Sequence, residues 1–365
     1  MATSNPSVSE KPAALFEPLT IRGVTLRNRV FMSPMCQYSC DDGFATDWHL
    51  VHLGSRAVGG AALITVEMTD ITPEGRITPK CLGLYKDAHI DKLSQIAKFV
   101  EARGAVPAIQ LAHAGRKGST RVPREGGTFL HPSDGGWQTV APSPIPFRPD
   151  DGIPHELTTG EIAGLLEAFA AAARRAVAAG FKVIEIHAAH GYLLNEFMSP
   201  LSNMRTDSYG GSFENRIRIT IETIKAMRSV MPADMPLMIK ISAVDWADGG
   251  WTVEDSVKLG VAAKAAGVDL ITCSSGNVVV HQKVEFKPGY NVPFAERVRK
   301  DAGIPTAAVG LITEAVQANN IVESGKADAV TLARELLRDP YFALHAAKAL
   351  GVKPAFPGQY TPAYI

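Results

Sequence analysis

The chain has little cysteine, no excess of either charge and no long apolar run, and each shortage removes a class of function. Four cysteines occur in 365 residues: Cys36, Cys40, Cys81 and Cys273. Cys36 and Cys40 alone stand close, at a spacing that makes half a metal site. No second such pair completes a zinc ribbon or an iron–sulfur cluster. Free thiols in a reducing compartment fit better. Basic and acidic residues balance at 37 each, so no polyanionic partner is implied. No basic tract is interleaved with aromatics, which argues against a nucleic-acid module. No apolar run approaches the roughly 18–20 residues of a membrane span. The opening MATSNPSVSEKPAA, residues 1–14, lacks both a basic start and an apolar signal core. It reads as a loose polar leader, and a cytoplasmic protein is the expectation. No two glycines are separated by a single residue, so the Gly-x-Gly of a Rossmann fingerprint is missing. A dinucleotide acting here binds in another mode.

What is present is a core and a rhythm. Hydrophobic residues make up 46% of the chain, enough for one large barrel or two ordinary domains. Short apolar runs recur at 30–32, 61–66, 106–111, 183–186, 237–241, 270–272, 306–309 and 329–332. Ala-rich helical patterns lie between them, as at 161–179, 253–266 and 314–324. Gly180, Gly267 and Gly325 follow those helices where a left-handed cap is needed. Buried strands alternating with helices mean a parallel sheet, and eight units favour closure into a (β/α)8 TIM barrel. An open doubly wound sheet is the structural alternative. The stretch 112–156 is rich in Gly, Pro and charge, with little periodicity. We expect it to be a lid excursion over the carboxyl-end mouth, inserted after the third strand. No linker splits the remainder, so 15–365 reads as a single barrel.

The chain is organised around residues 186–216, where His187, His190 and Tyr192 directly follow a buried strand pattern. Catalytic groups of a parallel barrel sit at that end of its strands. The Ser-Tyr-Gly-Gly-Ser turn, then Glu214, Asn215 and Arg216, lead into a helix start. His-x-x-His by itself says little, because His49 and His52 repeat the spacing within a helical pattern. A zinc reading needs a third ligand and an activating carboxylate. The other reading is two imidazole donors aimed at one oxygen. Tyr192 adds a phenol that stays protonated at neutral pH and can deliver a proton.

The segment His187-Ala-Ala-His190-Gly191-Tyr192, then SPLSNMRTDSYGGSFENR, resembles the Old Yellow Enzyme family of FMN-dependent ene reductases. The opening LFEPLTIRGVTLRNRVFMSPMCQYS is similar to that family's cysteine-bearing, thermophilic-like subclass, which includes NADPH dehydrogenases and xenobiotic reductases. The resemblance runs from about Leu15 to the final residues. It implies an FMN-binding barrel reduced by NADPH or NADH. The reduced flavin then gives a hydride from N5 to an alkene activated by a carbonyl or nitro group. His187 and His190 would polarise the substrate oxygen, and Tyr192 would protonate the neighbouring carbon. Nicotinamide and alkene would use the same flavin face in turn, with the protein orienting and polarising.

Carried over by position, Ser33, Pro34, Met35 and Cys36 match the flavin-contacting segment, with Cys36 beside the ring tuning its potential. Tyr38 would line the substrate mouth. Glu67 and Met68 would end the second strand, Met68 where the family usually has a small residue. Gln110 would bond the flavin's pyrimidine edge. Lys240 stands where the subclass usually has Arg, keeping the charge but losing the planar fork. Gly310, Ala333 and Arg334 follow strands seven and eight, where a phosphate is expected; the family usually has Gly at 333. Arg116 matches a lid-base residue. Many subclass members send an arginine from the chain end into a neighbouring subunit's site. No arginine follows Arg338 here, and Tyr360 or Tyr364 would reach across instead. A homodimer or homotetramer is implied. Two other classes stay open at this point: a metal-dependent lyase or hydrolase using His187 and His190, and a flavin-storing protein without turnover.

Overall fold

Strands buried on both faces read as near-continuous apolar runs, and such strands pair in parallel under a coat of helices. The computed structural model, which describes residues 13–363, has that architecture. Among those residues eight parallel strands form the barrel: β1 (Val30–Met32), β2 (Leu63–Asp70), β3 (Val106–Ala112), β4 (Val183–Ala188), β5 (Leu237–Ser242), β6 (Leu270–Ser274), β7 (Thr306–Ala308) and β8 (Ala329–Leu332). Each pairs with the next in sequence. β8 returns to β1 through Val330↔Val30 and Leu332↔Met32, which closes a (β/α)8 TIM barrel. A hairpin of Leu19–Ile21 and Val24–Leu26 precedes it.

The coat includes α1 (Asp47–Val58), α2 (Ile90–Ala102), α3 (Thr159–Ala178), α4 (Leu193–Met198), α5 (Phe213–Arg228), α6 (Val253–Ala266), α7 (Val292–Ala302) and α8 (Ala315–Glu323). Local chemistry sets their ends. Thr158 with Glu161, and Thr252 with Asp255, form capping boxes at the starts of α3 and α6. Gly180, Gly267 and Gly325 follow α3, α6 and α8 at φ of 91°, 113° and 70°, a region that costs glycine nothing.

The barrel interior is layered. Phe31, Leu63, Ala108, Val183, Met238, Leu270, Ala307 and Ala329, one from each strand, pack with Ile21 and Leu26 of the hairpin. This apolar layer fills the amino end. Side chains two residues further along point to the same face. There the series changes character: Gln110, Glu185, Lys240, Thr272 and Thr331, all buried. The fold therefore places a dry plug at one end and a polar floor at the other.

The second strand's end differs from the sequence reading. β2 continues to Asp70 instead of ending at Glu67 and Met68, and its ladder shifts register between Val66 and Met68. Glu67 is the extra residue of that bulge, so Glu67 and Met68 lie inside the strand. Residues 113–158 carry three short 3-10 turns and a two-residue parallel ladder, Val140–Ala141 with His155–Glu156. Arg205 holds this excursion from below, donating to the carbonyls of Pro142 and Leu157. Residues 1–12 of the expected leader, and Tyr364, lie outside the described residues.

Candidate active site

The polar floor is wired across the barrel. Gln110 Nε2 donates to Glu185 Oε1 at 2.7 Å, and Thr272 Oγ1 donates to Glu185 Oε2 at 2.7 Å. Lys240 Nζ donates to Ser33 Oγ at 3.0 Å, from β5 to the turn after β1. Burial pushes the Glu185 carboxyl up, opposed first by the Lys240 charge. Burial pushes the Lys240 ammonium down, opposed by Glu185. Sequence reasoning misses Glu185, although a signal exists. In Val183-Ile-Glu185-Ile-His187 the alternation that turns His187 inward also turns Glu185 inward.

The two histidines and the tyrosine meet where β4 ends. The His187 ring stands edge-on to His190 at 5.2 Å and to Tyr192 at 5.0 Å between centroids. His187 Nδ1 accepts the Ala189 N–H at 3.2 Å, which leaves the proton of the neutral ring on Nε2. His190 adopts φ 61°, its N–H donates to Ser242 Oγ at 2.9 Å, and its Nε2 lies 2.7 Å from Ser274 Oγ. Gly191 follows at φ 70°, where a Cβ would stand 2.2 Å from the Asn277 carbonyl oxygen. Burial holds both imidazoles well below their ordinary range and the Tyr192 phenol well above its own. The site therefore presents neutral rings and an intact phenol at neutral pH. The other His-x-x-His does not join them. His49 lies 3.1 Å from Glu67 and bonds Thr46, while His52 stacks on Trp48. Among the described residues no group of three His, Cys, Asp or Glu is arranged to hold a metal ion.

Cys36, Tyr38 and Tyr192 pack around Met68, Ile77, Cys81, Ala112 and Ala114. Burial, then the Glu67 carboxylate, pushes the Cys36 thiol well up, so it stays protonated at neutral pH. Met35 packs against the main core.

Two cavities adjoin this group. One of ≈ 270 Å³ is lined by Ser33, Pro34, His190, Lys240, Gly310, Thr331, Ala333 and Arg334. Gly310 sits there at φ 120°, with Tyr290 and Asn291 against it. The other, of ≈ 300 Å³, is lined by Tyr38, Ile77, Lys117, Arg121, Phe147 and Tyr192, among others. Arg116 lies behind it, donating to the carbonyls of Ile145 and Val278. Tyr360 is not part of either cavity. Its hydroxyl is 3.1 Å from that of Tyr341, and the tail before it lies beside Arg27 and Arg103 at the amino end of the barrel.

The first cavity suits FMN on its own terms. Thr331 Oγ1 is buried there without a hydrogen-bond partner among the described residues, and Lys240 has donors to spare beyond Ser33. A buried cation, an unused hydroxyl and the turns after β7 and β8 make a donor set for an anionic ring edge and a phosphate.

Known proteins resemble this chain along nearly its whole length. A family model described as the NADH:flavin oxidoreductase / NADH oxidase family matches residues 14–352. An NADPH dehydrogenase of Geobacillus thermodenitrificans (strain NG80-2) is 51% identical over 348 residues, covering 95% of this chain and 97% of that protein. An NADPH dehydrogenase of Bacillus subtilis (strain 168) is 45% identical over 348 residues, covering 95% and 98%. Among solved structures, morphinone reductase superposes with a TM-score of 0.77 at 27% identity, covering 97% of this chain and 94% of that one. Morphinone reductase has also been solved in complex with tetrahydroNAD, at a TM-score of 0.76.

Proposed function

Because the chain belongs to the NADH:flavin oxidoreductase / NADH oxidase family, we propose that it is an ene reductase, passing reducing equivalents from NAD(P)H to an alkene conjugated to a carbonyl or nitro group. It is an FMN-dependent oxidoreductase of the NADPH dehydrogenase type. FMN supplies, when bound, the chemistry that accepts a hydride from nicotinamide and gives one to the alkene.

The chain's own residues then have separable tasks. Ser33, Pro34, Met35, Cys36, Met68, Gln110 and Lys240 would hold the ring, with the Lys240 ammonium favouring negative charge on it. Gly310, Ala333 and Arg334 would hold the phosphate. His187 offers its Nε2 proton, and His190 a second imidazole, to the substrate oxygen; that polarisation makes the far alkene carbon electron-poor. The Tyr192 O–H then supplies the proton to the carbon next to the activating group. Tyr38, Ile77 and Phe147 would wall off water. We further propose that 112–156 acts as a lid on a single barrel, and that the protein forms a homodimer or homotetramer in the cytoplasm.

The observation that carries this reading is the meeting of two neutral imidazoles and one phenol at 5.0–5.2 Å beside the Lys240 cavity. The purified protein is expected to be yellow, to bleach anaerobically with NADPH, and to regain colour on adding cyclohexenone. Tyr192→Phe is expected to slow that recovery on the order of 100-fold while leaving bleaching nearly intact. Colour recovery without consumption of the alkene would sink the ene-reductase reading and leave an NADPH dehydrogenase.

A further inference from the structure

Lys117 belongs to the excursion after β3 but spends its ammonium on the catalytic loop. Its Nζ donates to the His190 carbonyl at 2.7 Å and to the Asn277 carbonyl at 3.0 Å. The same atom lies 5.2 Å from the centre of the Tyr192 ring and 4.4 Å from that of Phe147. A cation is thus clamped by two backbone oxygens against the face of the phenol that sits beside the histidine pair. Clamping of this kind leaves nothing to reorganise when charge develops nearby.

We propose that Lys117 is a positioning residue for proton delivery: its ammonium, fixed on the Tyr192 ring, stabilises the phenolate that remains when Tyr192 gives up its proton. This rests on Tyr192 being the donor. In that step the Tyr192 O–H bond breaks, a C–H bond forms at the carbon beside the activating group, and the pair left on oxygen makes a phenolate. Water from solvent reprotonates it afterwards. The ring face attracts a cation weakly while neutral and much more strongly once it carries a full negative charge. The interaction therefore grows along the reaction coordinate, which is what accelerates a step. The clamp on the His190 carbonyl also fixes that residue's left-handed backbone.

The groups facing Lys117 come from several elements: Arg116 on its own turn, Glu196 from α4, Arg148 and Asp151 from later in the excursion, and His190 and Tyr192 from the loop after β4. Burial pushes the Lys117 ammonium down to about 7, with Glu196 opposing and Arg116 reinforcing. Rising pH therefore removes the charge close to neutrality, long before Tyr192 itself ionises. Proton delivery should fall off above pH 7 with an intact phenol in place.

The test uses FMN-loaded enzyme with isotope-labelled tyrosine, the Tyr192 ring-carbon resonance being assigned by its loss in Tyr192→Phe. That resonance is expected to inflect near pH 7 in the wild type and to lose the inflection in Lys117→Met. Lys117→Arg should keep the charge without titrating, up to about pH 9. In stopped flow, Lys117→Met should slow enone-dependent reoxidation about ten-fold, with NADPH-driven reduction little changed, and Lys117→Arg should restore it and flatten its fall with pH. An inflection that survives in Lys117→Met overturns the proposal, as does equal slowing of both half-reactions without rescue by Arg. Enzyme that keeps the inflection but reduces no alkene overturns the donor reading and the proposal with it. Enzyme that reduces alkenes without any inflection overturns the Lys117 step alone.

Discussion

Lys240 and Glu185 hold each other in states that neither would keep alone. Both are buried, and the largest force on each is loss of water. Glu185 takes hydrogen bonds from Gln110 and Thr272, but the opposing charge comes from Lys240. Removing one member of a buried charged pair leaves the other uncompensated, which costs more than the pair contributed. Lys240→Met should therefore destabilise the FMN-free protein by about 1–3 kcal/mol, read as a lower urea midpoint. Adding Glu185→Gln should recover most of that loss, because the amide accepts the same bonds without needing a cation. A double variant no more stable than Lys240→Met would mean that Lys240 acts through packing rather than charge. At the same scale, Cys36 shows how burial decides protonation: a thiol pushed well up by burial and by the nearby Glu67 stays neutral.

At the scale of elements, the loop from β4 to α4 does what the sequence pattern says and adds something it conceals. Residues 183–187 alternate as a strand must, so the inward turn of His187 was readable, as were the eight strands and the glycine caps. Met238-Ile-Lys240 and Leu270-Ile-Thr272 follow the same rule, so the polar floor was encoded in ordinary period-two alternation. What was not readable depends on long-range closure. The Glu67 bulge arises because that carboxylate turns outward to His49 and to the Gln37 amide, 18 and 30 residues away. The reach of Lys117 to the carbonyls of His190 and Asn277 spans 73 and 160 residues, beyond any local pattern. Gly191 marks where that closure is tightest. Its φ of 70°, and the Asn277 oxygen 2.2 Å from where a Cβ would stand, leave no room for a side chain. Gly191→Ala should cost about 1–3 kcal/mol in backbone strain and push the His190–Tyr192 segment off its loop. The barrel should still melt cooperatively, while a phenolic ligand titrated against the bound flavin should bind far more weakly. Wild-type affinity in a folded Gly191→Ala protein would show that the loop's geometry is not what aligns the site.

Across the whole molecule, dry packing and buried polar groups occupy opposite ends of the barrel. The amino-end layer is apolar on every strand, whereas the carboxyl end buries groups that titrate. These oppose one another. His52 and His113 are pushed down by burial to about 3 and about 4; each contributes stability present above about pH 6.5 and lost as pH falls toward those values. Glu196, pushed up to about 8, contributes stability present below its unfolded value and lost as pH rises through 8. Asp70 isolates one side of this balance. It ends β2, is fully buried, and neither carboxylate oxygen has a hydrogen-bond partner among the described residues. Burial pushes its carboxyl well up, Glu67 adds to that, and Arg76 opposes it. A group raised in the folded state binds its proton more tightly there than when unfolded, so the fold weakens as pH climbs through the folded value. Asp70→Asn keeps the shape and cannot ionise. Its melting temperature should match the wild type near about pH 4 and exceed it by a margin that widens toward about pH 8. A constant offset between the two melting curves at every pH would mean that Asp70 carries the same charge folded and unfolded.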